Sequence, residues 1–300
     1  MASSLNMREA GEGMNVSFLR KEIMKLSIAL AMLCSSFLIP ASFAQVPAQS
    51  PKAVRINVSP DTVSRLTETP AGDYWIEDSQ IFIGGRGNAS RWFGLSGAAV
   101  DMIRNENAAG GASTTLRIKF DRILLDAFAA LEKRNALPEA KFISSNDSFD
   151  AKLLPQARFF IEDDGQVRLT FRLTARMKEE GASSEVTKNY NFTVTGLRPF
   201  VGAGGWADNN AELVRSESMN AFERLAEAFA FDVSGRFAEA SLPAKQRIVT
   251  LTSIASGKSS RAFLLGQSEK TVMIMPMIRD KPIRDMVMVI DKTAFRIDGL

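Results

Sequence analysis

Apolar and polar residues alternate with a period of two in the middle of this chain, and with a period near 3.6 on either side. Val167, Leu169, Phe171 and Leu173 are separated by Arg168, Thr170 and Arg172. Val186, Tyr190, Phe192 and Val194 repeat the pattern opposite Thr187, Asn189, Asn191 and Thr193. Such alternation predicts strands with one buried and one wet face, as in an antiparallel sheet. The turn signal at 163–166 (DDGQ) joins Arg158–Glu162 to Val167–Arg176, and a second turn is expected near Gly181. Short strands are also predicted at Val54–Val58, Gln80–Ile83 and Lys141–Ser144.

The helical period is clearest at Phe120, Ile123, Leu124, Ala127, Phe128 and Leu131, one apolar stripe at i, i+3, i+4, i+7, i+8 and i+11. Ser113 or Thr114 is the expected cap, and Asn135 and Pro138 end the helix. Gly94–Asn107 predicts a small-residue helix. Asp208–Asn210 is expected to cap a long helix with Val214, Ser218, Phe222, Leu225, Phe229 and Val233 inward. After a connector at 236–245, five short strands are expected, at Arg247–Ile254, Ser260–Leu265, Lys270–Met277, Arg284–Ile290 and Thr293–Ile297. The predicted class is α+β: a two-layer sandwich of antiparallel sheet and packed helices over 53–235, then a small all-β barrel-like module over 246–300.

The amino-terminal end has a different character. Arg20, Lys21 and Lys25 precede an apolar run, Leu26–Ile39, too short for a membrane span, followed by Pro40 and Ser42-Phe43-Ala44. This predicts a secretion signal over 1–44, cut between Ala44 and Gln45, and a polar linker over 45–52. Met14 or Met24 is an alternative start, since Glu9, Glu12 and Glu22 are foreign to a signal. Leu33 before Cys34 does not suit a lipid attachment, so the expected location is the periplasm without a lipid anchor. The chain has no histidine and one cysteine, Cys34, which the cut would remove. Thiol and imidazole chemistry are thereby excluded from the mature part. Its 33 Lys/Arg against 31 Asp/Glu include no basic block, which speaks against nucleic acid.

Other motifs read as structure. Gly94-Leu95-Ser96-Gly97 only partly imitates a nucleophile elbow, and Gly257-Lys258-Ser259 leads into a strand rather than the helix a phosphate loop requires. Two features remain as candidates. Arg168, Arg172 and Arg176 form a basic row on the wet sheet face, either plainly solvated or in contact with anionic lipid, lipopolysaccharide or an acidic protein patch. Met273, Met275, Met277, Met286 and Met288, five of the eight methionines after residue 44, fall at strand spacing. They suit a core, a plastic docking surface or, if the two strands gather their thioethers, a Cu(I) site. No other cofactor is expected.

The helix and strand of 116–144, followed by the 204–210 motif (GGWADNN) and a long helix, resemble envelope accessory proteins related to the TolB amino-terminal domain and ABC-transport auxiliary lipoproteins. The tail resembles SH3-like or Sm-like small barrels. The resemblance implies a non-catalytic exported protein that binds an envelope protein or itself, with Trp206 joining the arginines at the partner surface. The alternative is a periplasmic small-ligand or Cu(I)-binding protein.

Overall fold

A computed structural model describes residues 52–58, 72–85, 89–134, 140–145, 148–162, 165–178 and 185–300. The expected signal over 1–44, its Ala44/Gln45 cut, the linker through Pro51, Asp163-Asp164 and the turn near Gly181 lie outside them.

The chain is α+β. In order, the elements are β1 (Lys52–Val58), β2 (Tyr74–Trp75), β3 (Ile81–Gly84), α1 (Ala89–Ala109), a 3-10 turn (Gly110–Ser113), α2 (Asp121–Lys133), β4 (Ala140–Ser144), β5 (Ala151–Ile161), β6 (Gln166–Lys178), β7 (Glu185–Thr193), β8 (Arg198–Pro199), α3 (Asp208–Val233), α4 (Arg236–Ala240) and β9 (Ile248–Ser253). Five more strands follow: β10 (Ser259–Gln267), β11 (Thr271–Ile278), β12 (Lys281–Pro282), β13 (Met286–Asp291) and β14 (Phe295–Asp298). No helix among the described residues is long and apolar enough to cross a membrane.

The strands form one sheet in the order β14-β9-β10-β11-β13-β7-β6-β5-β1-β4, with β3 also beside β5. Its centre is the antiparallel meander that the alternation predicts. The expectation of an antiparallel sheet fails beyond that centre: β1 pairs β4 and β5 in parallel, β3 pairs β5 in parallel, and β13 pairs β7 in parallel. Parallel neighbours need long crossovers. Here α1 and α2 lie between β3 and β5, and both also lie between β1 and β4. The carboxy-terminal strands run β14-β9-β10-β11-β13, and β13 continues the ladder into β7.

Register sorts the side chains. Leu153, Pro155, Ala157 and Phe159 oppose Ala175, Leu173, Phe171 and Leu169, and Phe171 opposes Phe192. These residues share the face under α2 and α3. Phe120, Phe171 and Phe222 meet there with ring centroids 5.2–5.8 Å apart. A second, smaller core lies among the last strands, from Val249, Leu251, Leu264, Val272, Ile274 and Ile290. A β-bulge between Leu264 and Gly266 switches β10 between the two cores: Leu264 faces the second with Ile274, and Gly266, two residues on, faces the first with Met273. A Cβ on Gly266 would stand 3.2 Å from the Phe231 ring, so the glycine admits the end of α3.

Two expected caps are corrected. Ser113 and Thr114 do not start α2, because 110–113 form a 3-10 turn and the helix begins at Asp121. Its start is held from a distance by Gln80, whose Oε1 accepts from the Phe120 amide (2.5 Å) and whose Nε2 donates to Asp121 Oδ1 (2.7 Å). At α3, Asn209, Asn210 and Ala211 have φ of 51°, 56° and 56°, so right-handed helix begins only after them. Asp208 holds this left-handed turn, accepting from the amides of Gly204 (2.8 Å) and Asn209 (2.9 Å). Asp208→Ala should cost about 1 kcal/mol, read from the unfolding midpoint, since it removes both bonds from a strained turn.

Candidate functional site

The outer face of the β5–β6–β7 meander carries Lys152, Arg158, Arg168, Arg172 and Arg176. Register makes this so: Lys152 opposes Arg176, Gln156 opposes Arg172, and Arg172 opposes Asn191. A period-two strand sends alternate residues to one side, so the three arginines of β6 form one row.

The row is unevenly exposed. Arg168 is exposed and ion-paired with Glu162 at 2.7 Å. Arg172 is half-buried, and its Nε donates to Asn191 Oδ1 at 2.9 Å. Burial holds the Arg172 guanidinium below its ordinary value, the charge of Arg158 adds to this, and Asp73 opposes both. Arg176 is also half-buried and is engaged with its neighbours. Thr170 bonds Thr193 at 3.0 Å and Thr174 donates to Asn189 at 2.8 Å, so polar cross-strand pairs flank Arg172.

Two members were not legible from the alternation. Arg158 lies on the outer face of β5, where Nη2 donates to Asp73 Oδ1 at 2.7 Å. Its Nε stands 2.7 Å from Oδ2, an ion-pair contact off the hydrogen-bond direction. Asp73 is 2% exposed at its side chain. Burial pushes its carboxyl up, and the charge and hydrogen bond of Arg158 push back. The carboxylate fits only because residue 84 is glycine: a Cβ there would fall 2.1 Å from Asp73 Oδ1 and 2.7 Å from Arg158 Nη2. Gly84→Ala should therefore eject Asp73 and cost about 1–3 kcal/mol, measured as a lowered unfolding midpoint.

Trp206 is not on this surface. Expected at the partner face, it is fully buried, with Nε1 donating to the Val167 carbonyl at 2.9 Å. Its ring lies 6.1 Å from that of Phe159, and the Arg198 guanidinium covers it at 5.7 Å. The glycine-rich motif thus turns the chain inward and seats an indole beneath the end of β6.

The methionines do not gather. Met273 opposes Val289 and Met288 opposes Ile274, so Met273, Met275 and Met277 share one face of the sheet, with Met286 and Met288 on the other. Packing agrees: Met273 is buried in the main core with Met275 against it, and Met288 packs on the second core. One residue of register separates the two sets, so the five thioethers do not gather on one face. Met286 and Met288 instead lie beside Asn189 and Asn191, extending the arginine face with apolar surface.

On the helix side of the meander, Lys188 Nζ contacts both oxygens of Asp232 at 2.8 Å, and the buried Tyr190 hydroxyl donates to Oδ2 at 2.5 Å. This cluster fastens the end of α3 to β7. Earlier in α3, Glu223 and Glu227 line a cleft of 240 Å³ with Ser268, Arg134, Arg224 and Lys270. Burial pushes the Glu227 carboxyl up, a hydrogen bond with Ser268 opposes this, and the charge of Glu223 adds to the rise. Cations stand beside both carboxylates, and Arg134 pairs with Glu223 directly.

Comparison with protein-family models, curated proteins and solved structures finds no match.

Proposed function

We propose that this is a non-catalytic accessory protein of the bacterial envelope, exported to the periplasm, that binds an acidic surface of a protein partner through the outer face of its meander. One observation carries the reading. Arg158 and Arg172 are partly withdrawn from water and oriented by Asp73 and Asn191, with the Asp73 carboxylate acting on both. Guanidiniums held in this way have lost conformational freedom before any partner arrives, so less is lost on binding. Arg168 and Arg176 extend the positive potential, and Met286 and Met288 adjoin it as adaptable apolar surface. The export reading draws on the sequence of 20–44. The accessory reading draws on the resemblance in element order. In the same proposal the strands from β9 to β14 supply a second contact surface, and self-association is the competing mode.

A photo-crosslinking residue at position 168 tests this in cells, with mass spectrometry of the adducts. A single acidic envelope protein is expected. Its yield should fall several-fold when ionic strength rises from about 0.05 to about 0.3 M, because screening shortens to a few ångström. It should also fall when Arg176→Glu is added to the chain that carries the crosslinker, a change that leaves Arg172 in place. Adducts only with the chain itself would establish the oligomer instead. A yield insensitive to salt and to charge reversal would overturn the proposal.

A further inference from the structure

A cleft of 380 Å³ opens on the helix side of the sheet, where the end of α4 meets β10, β11 and β12. It is separate from the arginine face: Lys188, on its wall, opposes Ala175 and not an arginine of β6. Phe263, Leu265, Met275 and Pro282 make its apolar part, and Lys188 and Arg284 its charged part. No carboxylate lines it among the described residues.

The polar groups are already arranged. Gln246 Nε2 donates to the Ser241 carbonyl at 2.9 Å, and Ser241 Oγ donates to the Phe237 carbonyl at 2.7 Å. These bonds fix that rim. Lys188 is anchored from behind by Asp232, whose two oxygens account for two of the three ammonium donors. Arg284 is exposed, and among the described residues no ion pair or hydrogen bond engages its side chain. An apolar wall with Arg284 at one end, and the Asp232-paired Lys188 beside it, has the chemistry of a site for an amphipathic anion, and its volume lies in the small-molecule range.

We infer that this cleft binds a small amphipathic carboxylate of medium chain length. The acyl tail lies on Phe263, Leu265, Met275 and Pro282, and the carboxylate meets Arg284 with Lys188 behind it. Met275 is suited to the tail contact, because an unbranched thioether adapts to an alkyl chain.

Decanoate and decanol are the probes, titrated calorimetrically into the full mature chain, with the Met275 methyl resonance followed by NMR. Decanoate should bind saturably, shift that methyl, and bind at least tenfold more tightly than decanol. Arg284→Gln, a change at an exposed side chain, should weaken decanoate about fivefold and leave decanol unchanged. Lys188→Met is the less clean variant because it strands Asp232. Failure of decanoate to saturate, equal affinity for decanoate and decanol, or binding that leaves the Met275 methyl unmoved would each overturn the inference. None of these outcomes bears on the arginine face.

Discussion

Trp206→Ala should cost about 3–5 kcal/mol, read as a lowered unfolding midpoint. The indole is fully buried, lies beside Phe159, whose ring also meets Phe200, and donates to the Val167 carbonyl. Removing it opens a cavity at the end of the meander and leaves that carbonyl short of a partner. Trp206→Phe separates the two effects: it keeps most of the apolar contact and loses the hydrogen bond, at about 1–3 kcal/mol. Both appear as lower denaturant midpoints at unchanged slope. If Trp206 served a partner instead, Trp206→Phe would weaken binding and leave the midpoint where it was.

The second large effect is expected at Asp232. Its side chain is 7% exposed and holds Lys188, which is 28% exposed, together with the Tyr190 hydroxyl. Asp232→Ala leaves an ammonium and a phenol without their common acceptor, at about 2–3 kcal/mol after allowing for the partial exposure of Lys188. The pH dependence gives a second readout. Burial first, then the charge of Asp232 and the hydrogen bond to it, hold the Tyr190 phenol well above its ordinary value of 10.0. The folded-state value exceeds the unfolded one, so the contribution is fully present below about pH 10 and is lost as pH rises toward the folded value. Wild type should therefore lose stability in that alkaline window, and Tyr190→Phe should flatten the loss. An unchanged alkaline slope in the phenylalanine variant would remove Tyr190 from this account.

These two predictions concern residues whose types were plain and whose surroundings were not. Alternation in 167–176 determines which side of β6 is buried, since each strand residue points opposite to its neighbours, and the arginine row follows from that rule alone. The stripe from Phe120 to Leu131 likewise identifies α2, because 3.6-residue spacing aligns its apolar groups whatever they pack against. The start of α2 was not legible: the Phe120 amide and the Asp121 carboxylate are both met by Gln80, some 40 residues earlier, where no local pattern marks a cap. Trp206 had no local pattern to distinguish a buried indole from an exposed one. The same holds for Asp73, whose place depends on the missing side chain of Gly84.

By itself, the sequence determined the strand and helix periods, the common face of Arg168, Arg172 and Arg176, and the lack of histidine. These are properties of neighbours along one chain. Only tertiary structure decided that the sheet is mixed, that β13 joins β7, and that the methionines divide between two faces. Pairing partners and register are contacts between distant segments, and a shift of one residue reverses every side chain while leaving the local pattern untouched.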